Sequence, residues 1–142
     1  MRSRAFRLVV GSLALVTLTI AVSACASRTG HVTEVDPSII PKLGGKWTGY
    51  VVGRSGSSVP ATMNIQPDGS YRIVIVQPDI TASGKLSVVG GQLILNNTTI
   101  TGPAVDVAPA TATLDYSEKG GRQVLSGFGS NDAGPFSISF SK

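Results

Sequence analysis

Short apolar segments separated by turn residues recur along the chain from Lys46 to its end. Within them apolar and polar residues alternate, as at residues 61–66 and 136–141, and this is the period of a β-strand with one buried face. No segment places its apolar residues at the spacing of an amphipathic helix. The pattern therefore restricts the folded part of the chain to an all-β structure.

Turn residues divide this region into about eight strands. Pro67-Asp68-Gly69-Ser70 has the composition of a tight turn, and the pair Gly90-Gly91 is typical of the turn in a β-hairpin. The predicted strands are residues 46–52, 59–66, 71–77, 84–89, 92–97, 111–116, 123–128 and 136–141, with a short run at 98–101 and a proline-bracketed one at 105–107. We expect a small antiparallel up-and-down meander, closed or nearly closed into a barrel, because closure removes exposed strand edges.

The first 24 residues have the features of an export signal. Residues 1–7 carry three arginines and no acid, and residues 8–22 are apolar or small apart from four residues. This run has 15 residues, whereas a membrane-spanning helix needs about 20. The sequence therefore predicts a signal peptide over residues 1–24 that is removed on export.

Val22-Ser23-Ala24-Cys25 resembles the lipobox of bacterial lipoprotein precursors, in which an aliphatic residue and two small residues precede a cysteine. The resemblance implies cleavage between Ala24 and Cys25, a diacylglyceryl group on the Cys25 thiol, and an acyl chain such as palmitate on the new amino group. The alternative is an ordinary signal peptidase that cuts nearby and leaves Cys25 as a free thiol. Cys25 is the only cysteine, so no internal disulfide competes for it.

An anchor at Cys25 divides the chain into a signal peptide (1–24), a lipidated N-terminus with a flexible tether (25–42) and a β-barrel domain (43–142). Residues 26–41 show neither strand nor helix periodicity, as expected for a tether. Two or three acyl chains hold a protein at a bilayer. We expect a place in the cell envelope: the periplasmic face of the outer membrane if the cell has two membranes, otherwise the outer face of the cell membrane.

The charge of +4 overstates how basic the exported part is. Three of the twelve Lys and Arg residues and none of the eight acids lie in the leader, which leaves nine basic and eight acidic side chains. Nucleic-acid binding requires a basic surface that this remainder does not supply. We therefore expect no nucleic-acid partner.

Residues suited to catalysis or to metal binding are scarce. The only histidine, His31, lies in the predicted tether, and the only cysteine is the predicted lipid site. Nucleophilic triads and zinc sites need such residues in the folded part, and most of the acids lie in predicted turns, where they are usually solvated. We expect no catalytic residue, metal or cofactor, and hence a protein that is not an enzyme.

Gly45-Lys46-Trp47-Thr48-Gly49-Tyr50 resembles the first-strand Gly-x-Trp motif of lipocalins and their relatives, the calycins. In that family the tryptophan plugs one end of an up-and-down barrel. The resemblance implies that Trp47, with Tyr50, lies at a barrel end or a ligand site. A role in the core and a role in stacking on a ligand are both open for Trp47. The domain is shorter than most lipocalins, so side chains could fill the interior.

Three functions are open for a lipid-anchored barrel of this kind. It could be a binding module for a protein partner or for a small apolar ligand. It could also be a structural or assembly component of an envelope complex, or an inhibitor of an envelope-directed hydrolase, a role that small lipocalin-like barrels support. The barrel interior distinguishes these functions in part, because a barrel filled by its own side chains leaves no room for a small-molecule ligand.

Overall fold

The structure, a computed structural model, describes residues 34–103 and 110–142. Eight antiparallel strands form one closed barrel: β1 (Gly45–Val52), β2 (Ser58–Ile65), β3 (Ser70–Ile75), β4 (Ile80–Val89), β5 (Gln92–Thr101), β6 (Thr111–Lys119), β7 (Arg122–Asn131) and β8 (Gly134–Ser141). Each strand pairs with the next one in sequence, and β8 pairs with β1. The predicted all-β meander closed into a barrel is confirmed.

Several predicted features lie outside the described residues. These are the signal peptide at 1–24, the lipobox with Ala24 and Cys25, the tether up to residue 33 with His31, and the run at 105–107. Their assignments stay predictions from the sequence.

Two strands extend beyond their predicted bounds. β4 begins at Ile80, where the sequence predicts a start at Gly84, and β5 continues through the short run at residues 98–101. The register between β4 and β5 shifts between Ser83 and Gly84. Ser83 pairs with Thr99 and Gly84 with Asn97, so the extra residue of this β-bulge is Thr98 of β5. Gly84 lies inside β4, and both strands stay paired on either side of the bulge.

Alternate side chains of the strands fill the barrel. The inward faces predicted for β2 and β8 are confirmed, because Met63 and Ile65 of β2 and Ile138 and Phe140 of β8 are buried. Their polar neighbours, such as Asn64 on β2, point outward. A single hydrophobic core therefore runs along the barrel axis.

A 3-10 helix at Pro37–Leu43 precedes β1 and packs against the barrel. Its first turn is capped by Asp36, whose carboxylate accepts a hydrogen bond of 2.9 Å from the backbone N–H of Ser38. This backbone hydrogen bond lowers the pKa of the Asp36 carboxyl. Proline at the first helical position fits here as well, because that position needs no backbone donor.

The helix corrects the expected tether boundary. The sequence predicts a flexible segment up to residue 42, whereas residues 34–43 lie against the barrel. Leu43 is fully buried, Val35 is nearly so, and Ile39 and Ile40 contact the core. A single 3-10 segment of seven residues is too short to show a clear hydrophobic period, so its packing could not be recognised from periodicity.

No helix in residues 34–103 and 110–142 is long and apolar enough to cross a membrane. All eight strands, the 3-10 helix and the core cluster lie within residues 34–142. A closed barrel around its own hydrophobic core is expected to fold as a unit, so we expect residues 26–142 to fold without the predicted leader.

Candidate functional site

The meander gives the barrel two different ends. The β2–β3, β4–β5 and β6–β7 turns lie at the same end as the 3-10 helix, which we call the plugged end. The connections at residues 53–57, 76–79 and 132–133 lie at the opposite end, which we call the loop end, as do the described residues 102–103 and 110 between β5 and β6. Because binding residues concentrate on loops held by a rigid scaffold, the loop end is the first place to look for a site.

Trp47 closes the plugged end. Its side chain is 0% exposed, and its indole Nε1 donates a hydrogen bond of 2.8 Å to the carbonyl oxygen of Leu43. The Nζ atom of Lys142 lies 5.0 Å from the centre of the indole ring and donates a 2.7 Å hydrogen bond to the carbonyl oxygen of Gly44. Lys142 thus contacts both the backbone just before β1 and the ring of Trp47.

Tyr50 lies on the opposite face of β1 from Trp47. It is 48% exposed and pairs with Pro60 of β2 and Ser139 of β8. Two residues three positions apart on a strand point to opposite faces of the sheet. The structure therefore does not bring the two predicted site residues together.

A cavity of about 270 Å³ occupies the loop-end half of the interior. Its deeper walls are apolar and include Val51, Ile73, Ile75, Leu95, Phe136 and Ile138. Small-molecule pockets usually hold about 300–1,000 Å³, so this cavity suits a compact ligand. Neither Trp47 nor Tyr50 lines it.

A hydrogen-bonded pair brings polar groups into this apolar interior. The Tyr71 hydroxyl donates a 2.6 Å bond to Oδ1 of Asn97, and Asn97, which lines the cavity, is only 8% exposed. Burial raises the pKa of the Tyr71 phenol, so this hydroxyl stays protonated at neutral pH. The backbone N–H of Asn97 donates a 2.8 Å bond to the carbonyl oxygen of Ala110. Asn97 is thereby held at its backbone and at its side-chain oxygen.

The Tyr71–Asn97 pair was not predicted from the sequence. Asn97 ends the predicted fifth strand, and Tyr71 begins an apolar one. A signal was available in β5, since Leu93 and Leu95 alternate inward and Asn97 continues the same face. A polar residue in an inward position of a strand needs a buried partner, and that requirement points to an interior polar site.

Gly84 provides the space for the Tyr71 hydroxyl. A β-carbon at Gly84 would lie 2.8 Å from the Tyr71 hydroxyl oxygen and would collide with the backbone carbonyl of Asn96. The glycine is thus required by the close approach of two strands at the bulge.

We expect Gly84→Ala to lower the free energy of unfolding by about 1–3 kcal/mol, because overpacking shifts the backbone or the Tyr71 ring. Urea denaturation of residues 26–142 measures this loss. Gly53→Ala is the matched control, since a β-carbon at Gly53 meets nothing within 4 Å among the described atoms. Equal effects of the two substitutions would contradict the assigned role of Gly84.

The rim of the cavity carries a single charged residue among the described lining residues, Arg54. Its side chain is exposed and passes over Gly134, with Cδ 3.1 Å from where a β-carbon of that glycine would stand. Within residues 34–103 and 110–142, no group of three or more His, Cys, Asp or Glu residues is placed to hold a metal ion. The described lining of the cavity therefore offers a ligand apolar surface, the hydrogen-bonding groups of asparagine side chains and one positive charge at the rim.

Comparison with protein-family models, with curated proteins and with solved structures gives no match for this chain. The geometry itself is an eight-stranded, closed, antiparallel up-and-down barrel with a plugged end, which is consistent with a lipocalin-like fold.

Proposed function

We propose that this chain is a lipid-anchored envelope protein whose barrel binds a small apolar molecule at the loop end and catalyses no reaction. The observation that carries this proposal is the cavity of about 270 Å³ inside an otherwise packed barrel. An interior filled by side chains would have removed the small-ligand alternative.

The chemistry of the cavity favours apolar ligands. Transfer of apolar surface from water into such a site contributes roughly 25 cal/mol per Å², and side chains such as Ile73, Leu95 and Ile138 supply that surface. The plug at Trp47 closes the opposite end. A ligand would therefore enter and leave at the loop end.

The anchor part of the proposal depends on Cys25 and on the leader before it. Acylation of Cys25 would keep the barrel close to a bilayer, where apolar molecules are concentrated. The described chain joins the barrel through the 3-10 helix at the plugged end, opposite the cavity. Lipid attachment and ligand binding would thus use different ends of the barrel.

The proposal is tested with N-phenyl-1-naphthylamine, an uncharged dye whose fluorescence rises in apolar sites. We expect residues 26–142 to bind it with a micromolar dissociation constant. Ala82→Trp should weaken this binding at least about tenfold, or roughly 1.4 kcal/mol, because residue 82 lines the cavity and the indole would fill it. A fluorescence titration gives both constants.

Thr81→Trp is the matched control, since residue 81 precedes Ala82 on β4 and points to the other side of the sheet. It adds the same ring outside the cavity and should leave dye binding unchanged. Absence of dye binding, or equal binding by the wild-type and Ala82→Trp proteins, would reject the cavity as the site. The dye is preferable to intrinsic fluorescence, because the only tryptophan lies in the plug.

A further inference from the structure

We infer that the cavity selects apolar ligands that carry one hydrogen-bond-accepting oxygen, such as a ketone, and that Asn97 recognises this oxygen. The inference rests on the proposed function, since it names the chemistry of the ligand for the same cavity. It assigns specificity to a residue that no sequence motif marks.

The first observation is the orientation of the Asn97 side chain. Its Oδ1 accepts from the Tyr71 hydroxyl at 2.6 Å, so the Nδ2 amide is the other polar end of the same planar group. Within residues 34–103 and 110–142, the bond from Tyr71 is the only hydrogen bond of the Asn97 side chain, so the amide has no partner among them. Because Asn97 is only 8% exposed and lines the cavity, a ligand in the cavity is the natural partner for the amide.

The second observation is how firmly this donor is held. The Tyr71 hydroxyl fixes the carbonyl oxygen of the side chain, and the backbone bond to Ala110 fixes the strand beneath it. Gly84 leaves the space in which the Tyr71 hydroxyl sits. Tyr71 is therefore a positioning residue, and a prepositioned donor loses little conformational entropy when it binds.

The cavity can discriminate between ligands because a buried Asn97 amide without a hydrogen-bond acceptor costs free energy. In the unliganded cavity, water can accept from a polar group at the wall. A hydrocarbon that displaces this water does not replace its hydrogen bond, whereas a carbonyl oxygen at the same place does. The cavity should therefore prefer a carbonyl compound to a hydrocarbon of the same shape.

The polar groups at the rim are less suited to this selection. Arg54 is exposed, and water screens an exposed charge. Asn131 accepts a 3.0 Å hydrogen bond through Oδ1 from the backbone N–H of Ala133, so it is engaged in its own turn. Asn97 is the deeper and less solvated of these groups.

The test compares 2-acetylnaphthalene with 2-ethylnaphthalene, which share a ring system and differ in the carbonyl. Each is titrated against residues 26–142 by displacement of N-phenyl-1-naphthylamine. We expect the ketone to bind roughly tenfold more tightly, as one hydrogen bond to a buried donor allows. The infrared carbonyl stretch of the bound ketone should lie at lower frequency than that of the same ketone in a hydrocarbon solvent, because the amide hydrogen bond weakens the C=O bond.

The diagnostic variant is the double substitution Tyr71→Phe with Asn97→Leu. Replacing both partners by apolar groups avoids an orphaned buried hydroxyl, so the barrel should fold and should still bind 2-ethylnaphthalene. The preference for the ketone and the infrared shift should both disappear. Arg54→Gln is the control at the rim and should leave the preference intact.

The outcomes separate the inference from the proposed function. Equal affinity of the wild-type protein for the two naphthalenes would overturn the inference and leave apolar binding in place. A preference for the ketone that survives the double substitution, or that Arg54→Gln removes, would overturn it by placing recognition elsewhere. Binding of neither compound, nor of the dye, would reject both the inference and the proposed function.

Discussion

Trp47→Ala is expected to lower the free energy of unfolding of the barrel by about 3–5 kcal/mol, the usual cost of removing a buried large aromatic side chain. Trp47 is 0% exposed at the plugged end. Its loss would open a void, leave the Leu43 carbonyl without its 2.8 Å donor, and remove the ring beneath Lys142. Since a domain is usually stable by only about 5–15 kcal/mol, this substitution should leave a barely stable barrel.

Urea denaturation followed by far-ultraviolet circular dichroism measures the effect, because the variant has no tryptophan fluorescence to follow. Tyr50→Ala is the matched control: it removes an aromatic side chain from the same strand, but one that is 48% exposed. We expect it to cost less than about 1 kcal/mol. Similar losses for the two variants would show that Trp47 is not the plug.

Trp47→Phe separates the two roles that the sequence leaves open for this residue. It keeps an aromatic ring but removes the Nε1 donor, so it should destabilise the barrel less than alanine does. Because Trp47 does not line the cavity, dye affinity should be unchanged. A stacking role in ligand binding would require that affinity to fall.

The fold could be predicted because alternation and turn chemistry are local signals. Residues 61–66 and 136–141 show which face of β2 and β8 is buried, and pairs such as Gly90-Gly91 mark where strands reverse. Closure followed from the cost of unpaired strand edges. These signals do not depend on distant contacts, and the structure agrees with each of them.

The site could not be predicted in the same way, because a cavity is the volume that inward side chains from many strands leave unfilled. The bulge in β5 is one reason, since the extra residue Thr98 interrupts the alternation of this strand and lets both Asn97 and Ile100 line the cavity. The Gly-x-Trp motif predicts a site near Trp47, which lies at the plugged end, whereas the cavity lies at the loop end. Asn97 and Tyr71 are 26 positions apart in sequence and meet only in the closed barrel.

Cys25→Ser is expected to abolish lipid attachment and cleavage, so that the protein accumulates as a full-length precursor. The thiolate is the nucleophile that would accept a diacylglyceryl group, and a serine hydroxyl at this position is a far weaker one. Cys25 is the only cysteine in the chain, so no second thiol can replace it. Intact-mass spectrometry separates the precursor from a mature form that lacks residues 1–24 and carries acyl chains.

Ser23→Ala is the matched control, because it keeps a small residue before the cleavage position and should be processed and acylated normally. Cleavage of the Cys25→Ser protein near Ala24 or Ala26, with release of an unacylated product, would instead identify an ordinary signal peptidase. All described cavity residues lie after Glu34, so residues 26–142 should bind the dye whichever peptidase acts. The lipid anchor would then determine where the barrel is located, and the cavity would determine which ligand it binds.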